Sequence, residues 1–333
     1  MLEMSTRNLR FLARMGSRGC LGQAVFDYMN DGNDAFVVSA DLVYASGFDR
    51  VKKSYGDRLI NVGIAEQNLI GIAAGLSSKN TPVVATTWAM FASSRVADQV
   101  RNYMGFMQSN VKLIGMDSGF VQSRFSYSHT NPPDIAIMRT IPGIMILSPC
   151  DGIEIYKAIY QALEYDGPVY IRLTGTDLQP MIHKTTEVSF QIGKSIILKQ
   201  GTDVAIIATG NIVEEALKAS AILEKRGIST KVVDMHTIVP LDENMLTSLI
   251  QYKMVVTLEE HLKAGGMGSA VAEYYSNYQY HPKHIIMGVD NFFPKCGGMD
   301  YIREKAGLSA RQIADRIIFE LEPIKMGENK DAK

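Results

Sequence analysis

The chain has 333 residues, of which 46% are hydrophobic and 21% are charged, and its formal net charge is -1. This composition is typical of a globular protein with room for two domains, and the small charge argues against nucleic acid or an anionic membrane surface as its main partner. No apolar run approaches the length of a membrane span, and residues 1–16 lack the apolar core of a secretion signal. We therefore expect a cytoplasmic protein. Cys20, Cys150 and Cys296 lie too far apart in the sequence to indicate a disulfide framework or a zinc site.

Short apolar runs alternate with helical segments over the first half of the chain, and each run is apolar on consecutive residues. Strands of this kind are covered on both faces, as in parallel sheets with crossover helices. An amphipathic helix is predicted from Asn8 to Met29, and a helix with a capping-box pattern is predicted from Asp151, with Glu154 three residues later, to Tyr165. The predicted strands are 35–40, 59–62, 82–87, 111–116, 145–149 and 168–173.

A polar stretch from 176 to 193 lacks these patterns and is predicted to be a linker. The pattern then resumes, so the fold class predicted is α/β, with two consecutive three-layer α/β/α domains, 1–175 and 194–322, built on mostly parallel sheets. Residues 323–333 are charged and are expected to form a disordered tail. In the second domain we predict strands at 204–209, 230–234, 254–258 and 285–289, and helices at 212–225, 244–251, from 268, and at 309–321.

The stretch NVGIAEQNLIGIAAGL, residues 61–76, places a carboxylate in an unusual position. A strand turns at Gly63 into a helix whose first turn carries Glu66, at the strand edge where ligands of open α/β sheets bind. The helix has almost no polar face, and Gly71 and Gly75 would let another backbone come close, so we expect it to be buried all round. A carboxylate on such an element is costly unless it is paired, although a glutamate at a helix start can also simply offset the helix dipole.

The segments GIAEQN and GIAAGL resemble the pyrimidine-binding domain of the transketolase family, especially its short forms in which one enzyme is divided between two chains. The resemblance covers nearly the whole chain, including ATGNIVEEAL, the predicted turn DMHTIVPLD, and EEHLKAGGMGSAV. It implies that 1–175 is a pyrimidine-binding domain and 194–322 a transketolase C-terminal domain. In the family, the glutamate matching Glu66 hydrogen-bonds the N1′ nitrogen of thiamine diphosphate, so the resemblance makes Glu66 a catalytic and cofactor-binding residue.

The segment FASSRVADQ, residues 91–99, resembles the family pattern FAxxRxxDQ. The aromatic of that pattern packs on the aminopyrimidine ring, which makes Phe91 the cofactor-binding candidate and leaves Trp88 as a substitute. Arg95 and Asp98 are expected to form a structural or interfacial pair. Asp41, in SADL, resembles a family aspartate near the cofactor and the subunit interface.

His129 matches the family histidine that exchanges protons with substrate oxygens, a task suited to the near-neutral pKa of imidazole. Around it the chain departs from the family pattern: Phe125 stands where an aspartate contacts a sugar hydroxyl, and Asp117 stands where many sugar-phosphate transketolases carry a histidine near the phosphate. Ala45 and Gly175 replace a serine and an arginine for the same phosphate. We place His129, Phe125 and Asp117 in the substrate pocket and expect an unphosphorylated or bulkier substrate, because a phosphate site needs donors and positive charge.

The resemblance also implies a partner, because the family's GDG…N segment, which holds Mg²⁺ against the diphosphate, does not occur here. We expect an N-terminal, diphosphate-binding subunit to supply the Mg²⁺ ligands, in a heterotetramer built on a dimer of this chain, with a small-molecule or carrier-tethered substrate. The chain is thus predicted to be the C-terminal subunit of a two-component thiamine diphosphate-dependent transketolase that transfers a two-carbon ketol or acyl unit. The alternatives are the beta subunit of a 2-oxo acid dehydrogenase and a non-catalytic scaffold partner.

Overall fold

The computed structural model describes residues 2, 5–130, 133–175, 180–185, 188–290 and 295–331, with side chains described as far as 322. The described residues form two sheets, of seven and five strands, in which most strand pairs are parallel. Helices pack on these sheets, so the predicted α/β class with two domains is confirmed. Within the same ranges, no helix combines the length and the apolar character needed to cross a bilayer.

The first domain supplies six parallel strands, which the sheet places in the order β5-β6-β4-β3-β1-β2. Two π-helical segments, Phe91–Arg95 and Val100–Phe106, follow the third strand, and 3-10 turns cover Gly56–Arg58 and Ser123–Ser128. The strands are β1 (Phe36–Ser39), β2 (Leu59–Asn61), β3 (Val83–Trp88), β4 (Val111–Met116), β5 (Met145–Leu147) and β6 (Val169–Arg172); the helices are α1 (Thr6–Asn30), α2 (Asp49–Ser54), α3 (Glu66–Leu76), α4 (Ala97–Gln99), α5 (Asp134–Arg139) and α6 (Gly152–Glu164).

The second sheet has the order β12-β11-β8-β9-β7, with β7 antiparallel to β9 and the other pairs parallel. Asp242, the last residue of DMHTIVPLD, caps the N-terminus of the helix Glu243–Ser248. A 3-10 turn covers Gly210–Ile212. The strands are β7 (Ile196–Lys199), β8 (Val204–Ala208), β9 (Thr230–Asp234), β10 (Thr237–Val239), β11 (Met254–Leu262) and β12 (Lys283–Val289); the helices are α7 (Val213–Glu224), α8 (Glu243–Ser248), α9 (Met267–Tyr275), α10 (Met299–Lys305) and α11 (Ala310–Asp331).

One strand crosses from the second half of the chain into the first sheet. β10 pairs antiparallel with β5 and becomes the seventh strand of that sheet, where the sequence predicted only a turn. Ile146 of β5 and Ile207 of β8 also belong to one continuous buried apolar cluster. The two domains therefore share both a sheet and part of a core, and each fully buried isoleucine adds about 1.5–3 kcal/mol.

The structure of the C-terminal residues differs from the predicted disordered tail. α11 continues to Asp331, so residues 323–331 of the tail predicted to be disordered lie in a helix, while 332–333 lie outside the described residues. Of the predicted linker, 176–179 and 186–187 also lie outside them, and 180–185 and 188–193 carry no helix or strand. The domain boundaries themselves stay a prediction.

Candidate active site

Four of the predicted site residues follow the carboxyl ends of neighbouring strands at one edge of the first sheet. Asp41 comes after β1, Glu66 after β2, Phe91 after β3 and Asp117 after β4. β1 lies between β2 and β3, so the direction in which the chain builds the sheet reverses at β1. Such a switch point leaves a crevice outside the carboxyl ends of the strands, and ligands of open α/β sheets bind in it.

Glu66 is the first residue of α3, and its side chain is 4% exposed. Gly63 turns the chain between β2 and α3 with a φ of 72°, which residues with a Cβ rarely adopt. Arg95 donates from Nη1 to Oε2 of Glu66 at 2.9 Å, and no described residue donates to the other oxygen, Oε1. The ion pair offsets the cost of burying the carboxylate. It also leaves one oxygen able to accept a hydrogen bond from a ligand.

The sequence predicts that Arg95 pairs with Asp98, and that prediction is wrong. Asp98 instead accepts hydrogen bonds from Arg101 and Asn102, both within the same exposed stretch. The guanidinium of Arg95 lies over the Phe91 ring, 3.8 Å from its centroid. A π-helical segment spans 91–95, a geometry found frequently at functional sites. Arg95 is thus a site residue that sequence reasoning missed, although its spacing from Phe91 on a helix was a usable signal.

His129 lies between two aromatic rings. The Phe91 ring meets it edge to face with centroids 5.4 Å apart, and the Phe125 ring lies on another side at 5.2 Å. Nδ1 of His129 is 2.9 Å from the Ser128 hydroxyl oxygen. Contacts therefore run without interruption through one group of side chains, which we call the edge cluster: Glu66, Arg95, Phe91, His129 and Phe125.

Asp117 lies at the same sheet edge but outside the edge cluster. Its carboxylate is buried, and it accepts hydrogen bonds from Arg18 and Gln122. The Arg18 guanidinium also lies over the Trp88 ring, 5.1 Å from its centroid. Trp88 therefore contacts Arg18, whereas Phe91 is linked to Glu66 through Arg95. No sequence pattern points to Arg18, because its partner is 99 residues away.

Asp41 is exposed and is not brought into the edge cluster. It exchanges two hydrogen bonds with the Asn61 side chain, at 2.9 Å and 3.1 Å, and these tie the end of β1 to the end of β2. Its φ of 58° lies in the left-handed region, which aspartate adopts more readily than most residues with a Cβ. Ala45 and Gly175 occupy the positions at which the family pattern has phosphate-binding residues. The carbonyl of Gly175 accepts a hydrogen bond from the Ser17 hydroxyl, and Ala45 is half-buried.

The helix α3 is not buried all round, contrary to the prediction from its composition. Only Glu66, Leu69, Ile70 and Ala73 are buried in the chain. A Cβ on Gly71 would reach only Tyr103, at 3.9 Å, and one on Gly75 would meet nothing within 4 Å. Its apolar composition therefore exceeds what this chain alone covers. The first domain also exposes large apolar side chains on other elements, among them Ile64, Tyr103, Phe106, Phe125 and Tyr127.

Comparison with known families matches both halves of the chain. The family described as "Transketolase, pyrimidine binding domain" matches residues 14–180, and the family described as "Transketolase, C-terminal domain" matches residues 193–313. Glu66, Phe91 and His129 all lie in the first matched region.

Similar proteins match over nearly the whole length of the chain. A putative transketolase C-terminal section from Methanocaldococcus jannaschii is 36% identical over 306 residues, covering 92% of this chain and 96% of the relative. A 6-deoxy-6-sulfo-D-fructose transketolase subunit, SqwH, from Clostridium sp. (strain MSTE9) is 37% identical over 291 residues, covering 87% of this chain and 89% of the relative. One subunit of an apulose-4-phosphate transketolase from Actinobacillus succinogenes is 35% identical over 289 residues, covering 86% and 92% respectively.

A solved structure shares the same overall fold. A protein described as "Split gene transketolase, inactive beta4 tetramer" superposes with a TM-score of 0.80 at 34% identity, covering 90% of this chain and 96% of the other.

Proposed function

The chain belongs to the transketolase family, and from that premise we propose that it is the pyrimidine-binding and C-terminal subunit of a two-component, thiamine diphosphate-dependent transketolase. The observation that carries the proposal is the buried Glu66 carboxylate, which keeps one oxygen available at the switch-point crevice. Retention of Phe91 and His129 beside it supports a catalytic rather than a scaffold role.

The edge cluster suits an aminopyrimidine ring. A flat heteroaromatic ring needs an aromatic or apolar surface against its face and a carboxyl opposite its ring nitrogen. Half-buried Phe91 offers the first, and Oε1 of Glu66 offers the second. When bound, thiamine diphosphate supplies the stabilisation of carbanion character that cleavage beside a carbonyl requires. This chain's part is to hold a proton at N1′ through Glu66 and to fix the ring in place.

His129 is proposed to exchange protons with substrate oxygens. Its Nδ1 is held by the Ser128 hydroxyl and its ring by Phe91 and Phe125, so the imidazole has a fixed orientation. No described residue hydrogen-bonds Nε2, which leaves that nitrogen for the substrate. A histidine held in this way is suited to general acid–base work near neutral pH.

The substrate is proposed to be a ketose without the usual sugar-phosphate recognition. Phe125 is 60% exposed next to His129, so it offers a ring where a hydroxyl-binding carboxylate would otherwise lie. Asp117 holds Arg18 in an ion pair, so this cation is already neutralised. Two relatives are named for different substrates, 6-deoxy-6-sulfo-D-fructose and apulose 4-phosphate, which supports the view that subunits of this type differ in substrate.

A partner subunit is proposed to complete the site. Among the described residues, the one group with metal-ligand geometry lies away from the edge cluster, so we assign the Mg²⁺ ligands to the partner. The uncovered side of α3 and the exposed apolar side chains of the first domain are the surface that the partner would bury. A heterotetramer built on a dimer of this chain is the assembly we propose.

Calorimetry tests the divided site directly. Thiamine diphosphate with Mg²⁺ is titrated into this chain alone and into its mixture with a candidate diphosphate-binding subunit. We expect binding in the mixture and little or none with the single chain. Equal binding by the single chain would contradict the divided site.

A steady-state comparison on the mixture tests the substrate. Unphosphorylated and sulfonated ketoses should be better donors than xylulose 5-phosphate with ribose 5-phosphate as acceptor. Efficient turnover of the phosphorylated pair would refute this part of the proposal.

A further inference from the structure

Four buried side chains with metal-binding atoms meet where the two domains join. Cys150 follows β5, Glu154 lies in the first turn of α6, His183 comes from the linker, and Asp234 ends β9. We call this group the joint cluster. Each residue offers one ligand atom, and these atoms all lie within 4.8 Å of one another. All four side chains are at least nine-tenths buried, with His183 the most exposed at 8%.

Hydrogen bonds already hold most of the joint cluster in place. Nε2 of His183 is 2.7 Å from Oε1 of Glu154, and the Cys150 backbone N–H donates to Oε2 of Glu154 at 2.9 Å. The His183 backbone N–H donates to Oδ2 of Asp151 at 3.0 Å, and Asp151 in turn caps α6. The sequence predicts that Glu154 completes a capping box with Asp151. It instead turns toward the joint, where it meets His183 and the Cys150 backbone.

Asp234 is the member of the joint cluster that these hydrogen bonds do not include. It is fully buried, and neither carboxylate oxygen accepts a hydrogen bond of good geometry from any described residue. It faces the thiol of Cys150 and the carboxyl of Glu154. Burial, reinforced by the charge of Glu154, raises the pKa of Asp234 well above its ordinary value. A buried, unpaired carboxylate is costly, and native proteins retain one where a proton or a metal ion neutralises it.

The charges around Asp234 lack a full counterpart. Three carboxyl groups lie together here, those of Asp151, Glu154 and Asp234, and within the described ranges no lysine or arginine forms an ion pair with any of them. Among the described residues, His183 forms an ion pair with Glu154, and the His236 imidazole also lies near that carboxyl. Burial lowers the pKa of His183, but the hydrogen bond and the charge of Glu154 outweigh it and raise this pKa, so the imidazolium offsets the charge of one carboxylate and leaves the other two carboxyls to a proton or a metal ion.

We propose that Cys150, Glu154, His183 and Asp234 bind a divalent metal ion of the zinc type. Zinc takes thiolate, imidazole and carboxylate ligands in tetrahedral sites, with bonds of about 2.0–2.3 Å and hence ligand atoms about 3.3–3.8 Å apart. The side chains need to move by only about 1 Å to reach that spacing from their present positions. Binding releases the Cys150 thiol proton and the proton held by Asp234 and Glu154 to solvent, and the metal ion then offsets the negative charge of the thiolate and the carboxylates.

The joint cluster would bind the two domains together. Two ligands belong to the first domain, one to the linker and one to the second domain, so a metal ion fixes the linker between both sheets. This role is structural, since all four coordination positions are taken by the protein. The inference does not depend on the proposed function, because it involves none of the residues of the edge cluster.

The metal content of the 333-residue chain tests the proposal. The protein is prepared without a polyhistidine tag, from zinc-supplemented and from cobalt-supplemented medium, in a Cys296→Ser background that removes the exposed thiol. We expect about one zinc ion per chain after dialysis against EDTA, and a thiolate-to-cobalt charge-transfer band in the near ultraviolet. Absence of both the retained ion and the band would overturn the proposal and leave a shared proton between Asp234 and Glu154 in its place.

Two variants locate the ion. Asp234→Asn keeps the shape of the side chain and Cys150→Ser keeps its size, and each should reduce retained zinc by about 10-fold or more. Cys20→Ser is the matched control, because Cys20 is an equally buried thiol outside the joint cluster. Zinc retained by both cluster variants would place the ion elsewhere and contradict the assignment. If a variant does not fold, cobalt titration of the background chain still decides the question.

Discussion

Glu66 and Arg95 form an ion pair across the switch-point crevice, with Nη1 of Arg95 2.9 Å from Oε2 of Glu66. The glutamate comes from the end of β2 and the arginine from beyond β3, so the pair joins two strands that are not neighbours in the sheet. The same guanidinium covers one face of Phe91. Arg95 therefore orients both the carboxylate and the ring to which we assign the cofactor.

Replacing Glu66 by glutamine tests the carboxylate with little change in shape. We expect the two-subunit complex to lose about 10²–10⁴-fold in kcat, because an amide cannot hold the proton at the ring nitrogen. The measurement is steady-state turnover, with circular dichroism to confirm the fold. Glu304→Gln, at an exposed position, is the control that should behave as wild type. Unchanged activity of Glu66→Gln would favour the scaffold alternative.

Replacing Arg95 by methionine should weaken thiamine diphosphate binding by the complex about 10-fold or more, since hydrogen bonds to charged groups contribute roughly 1.5–3 kcal/mol. Arg95→Lys should recover part of the loss, because it keeps the charge but not the planar contact with Phe91. Calorimetry gives the affinity. Arg101→Met, which breaks the exposed pair with Asp98, is the matched control. Equal affinities for Arg95→Met and wild type would show that the ion pair is only structural.

Replacing Gly75 by arginine tests the uncovered side of α3. A Cβ there meets no atom of this chain within 4 Å, and glycine costs a helix roughly 0.5–1 kcal/mol relative to alanine, so the single chain should be as stable as wild type or slightly more so. Association with the partner subunit should weaken, because the new charge would be buried at the interface. Light scattering after size-exclusion chromatography measures both.

A second arginine substitution provides the comparison. Gly56→Arg also lies at an exposed site with no atom near its Cβ, and it should leave association unchanged. If Gly75→Arg assembles as wild type does, the exposed side of α3 is not the contact surface.

Lys112 should make the free energy of unfolding depend on pH above neutrality. The residue is buried in β4, and its Nζ donates to the carbonyls of Tyr165 and Gly167, each at 2.6 Å. Burial lowers the pKa of Lys112 from 10.5 to about 7. Between these two values the unfolded chain binds more protons than the folded chain, so this group makes stability rise as the pH increases through that range.

Urea denaturation of wild type and Lys112→Met at about pH 7 and about pH 9 checks this sign. The free energy of unfolding of wild type, relative to the variant, should increase at the higher pH. Lys53→Met, at an exposed lysine, should show no such change. A constant difference between wild type and Lys112→Met would mean that the folded lysine stays charged.

The strands were largely predictable because buried parallel strands are apolar on consecutive residues. β4 and β9 occur at their predicted bounds, and β3 begins and ends one residue later than expected. β10 was missed because three residues following His236 read as part of a turn, and their pairing partner β5 lies about ninety residues earlier. Local pattern carries no information on such long-range pairing.

The candidate site was predictable only where a motif named the residue. Glu66, Phe91 and His129 do converge, but Arg95 was given the wrong partner because Asp98 lies nearby in sequence while Glu66 lies nearby in space. The exposure of α3 was missed for another reason. Its apolar composition indicates burial, but composition alone does not say whether the surface that covers it belongs to the same chain. The joint cluster was invisible, because its members are spread from Cys150 to Asp234.

Because β10 completes the first sheet, the linker is a poor place to divide this protein. A fragment ending at Gly175 would present β5 as an open edge, with unpaired backbone groups that invite aggregation. The complementary fragment would carry Thr237–Val239 as a strand without a sheet. A chimera in which the second half comes from a relative must therefore keep the pairing register between its β10 and the β5 of the first half. A chain cut by a protease in the linker should stay assembled and elute as one particle, because β10 remains paired with β5.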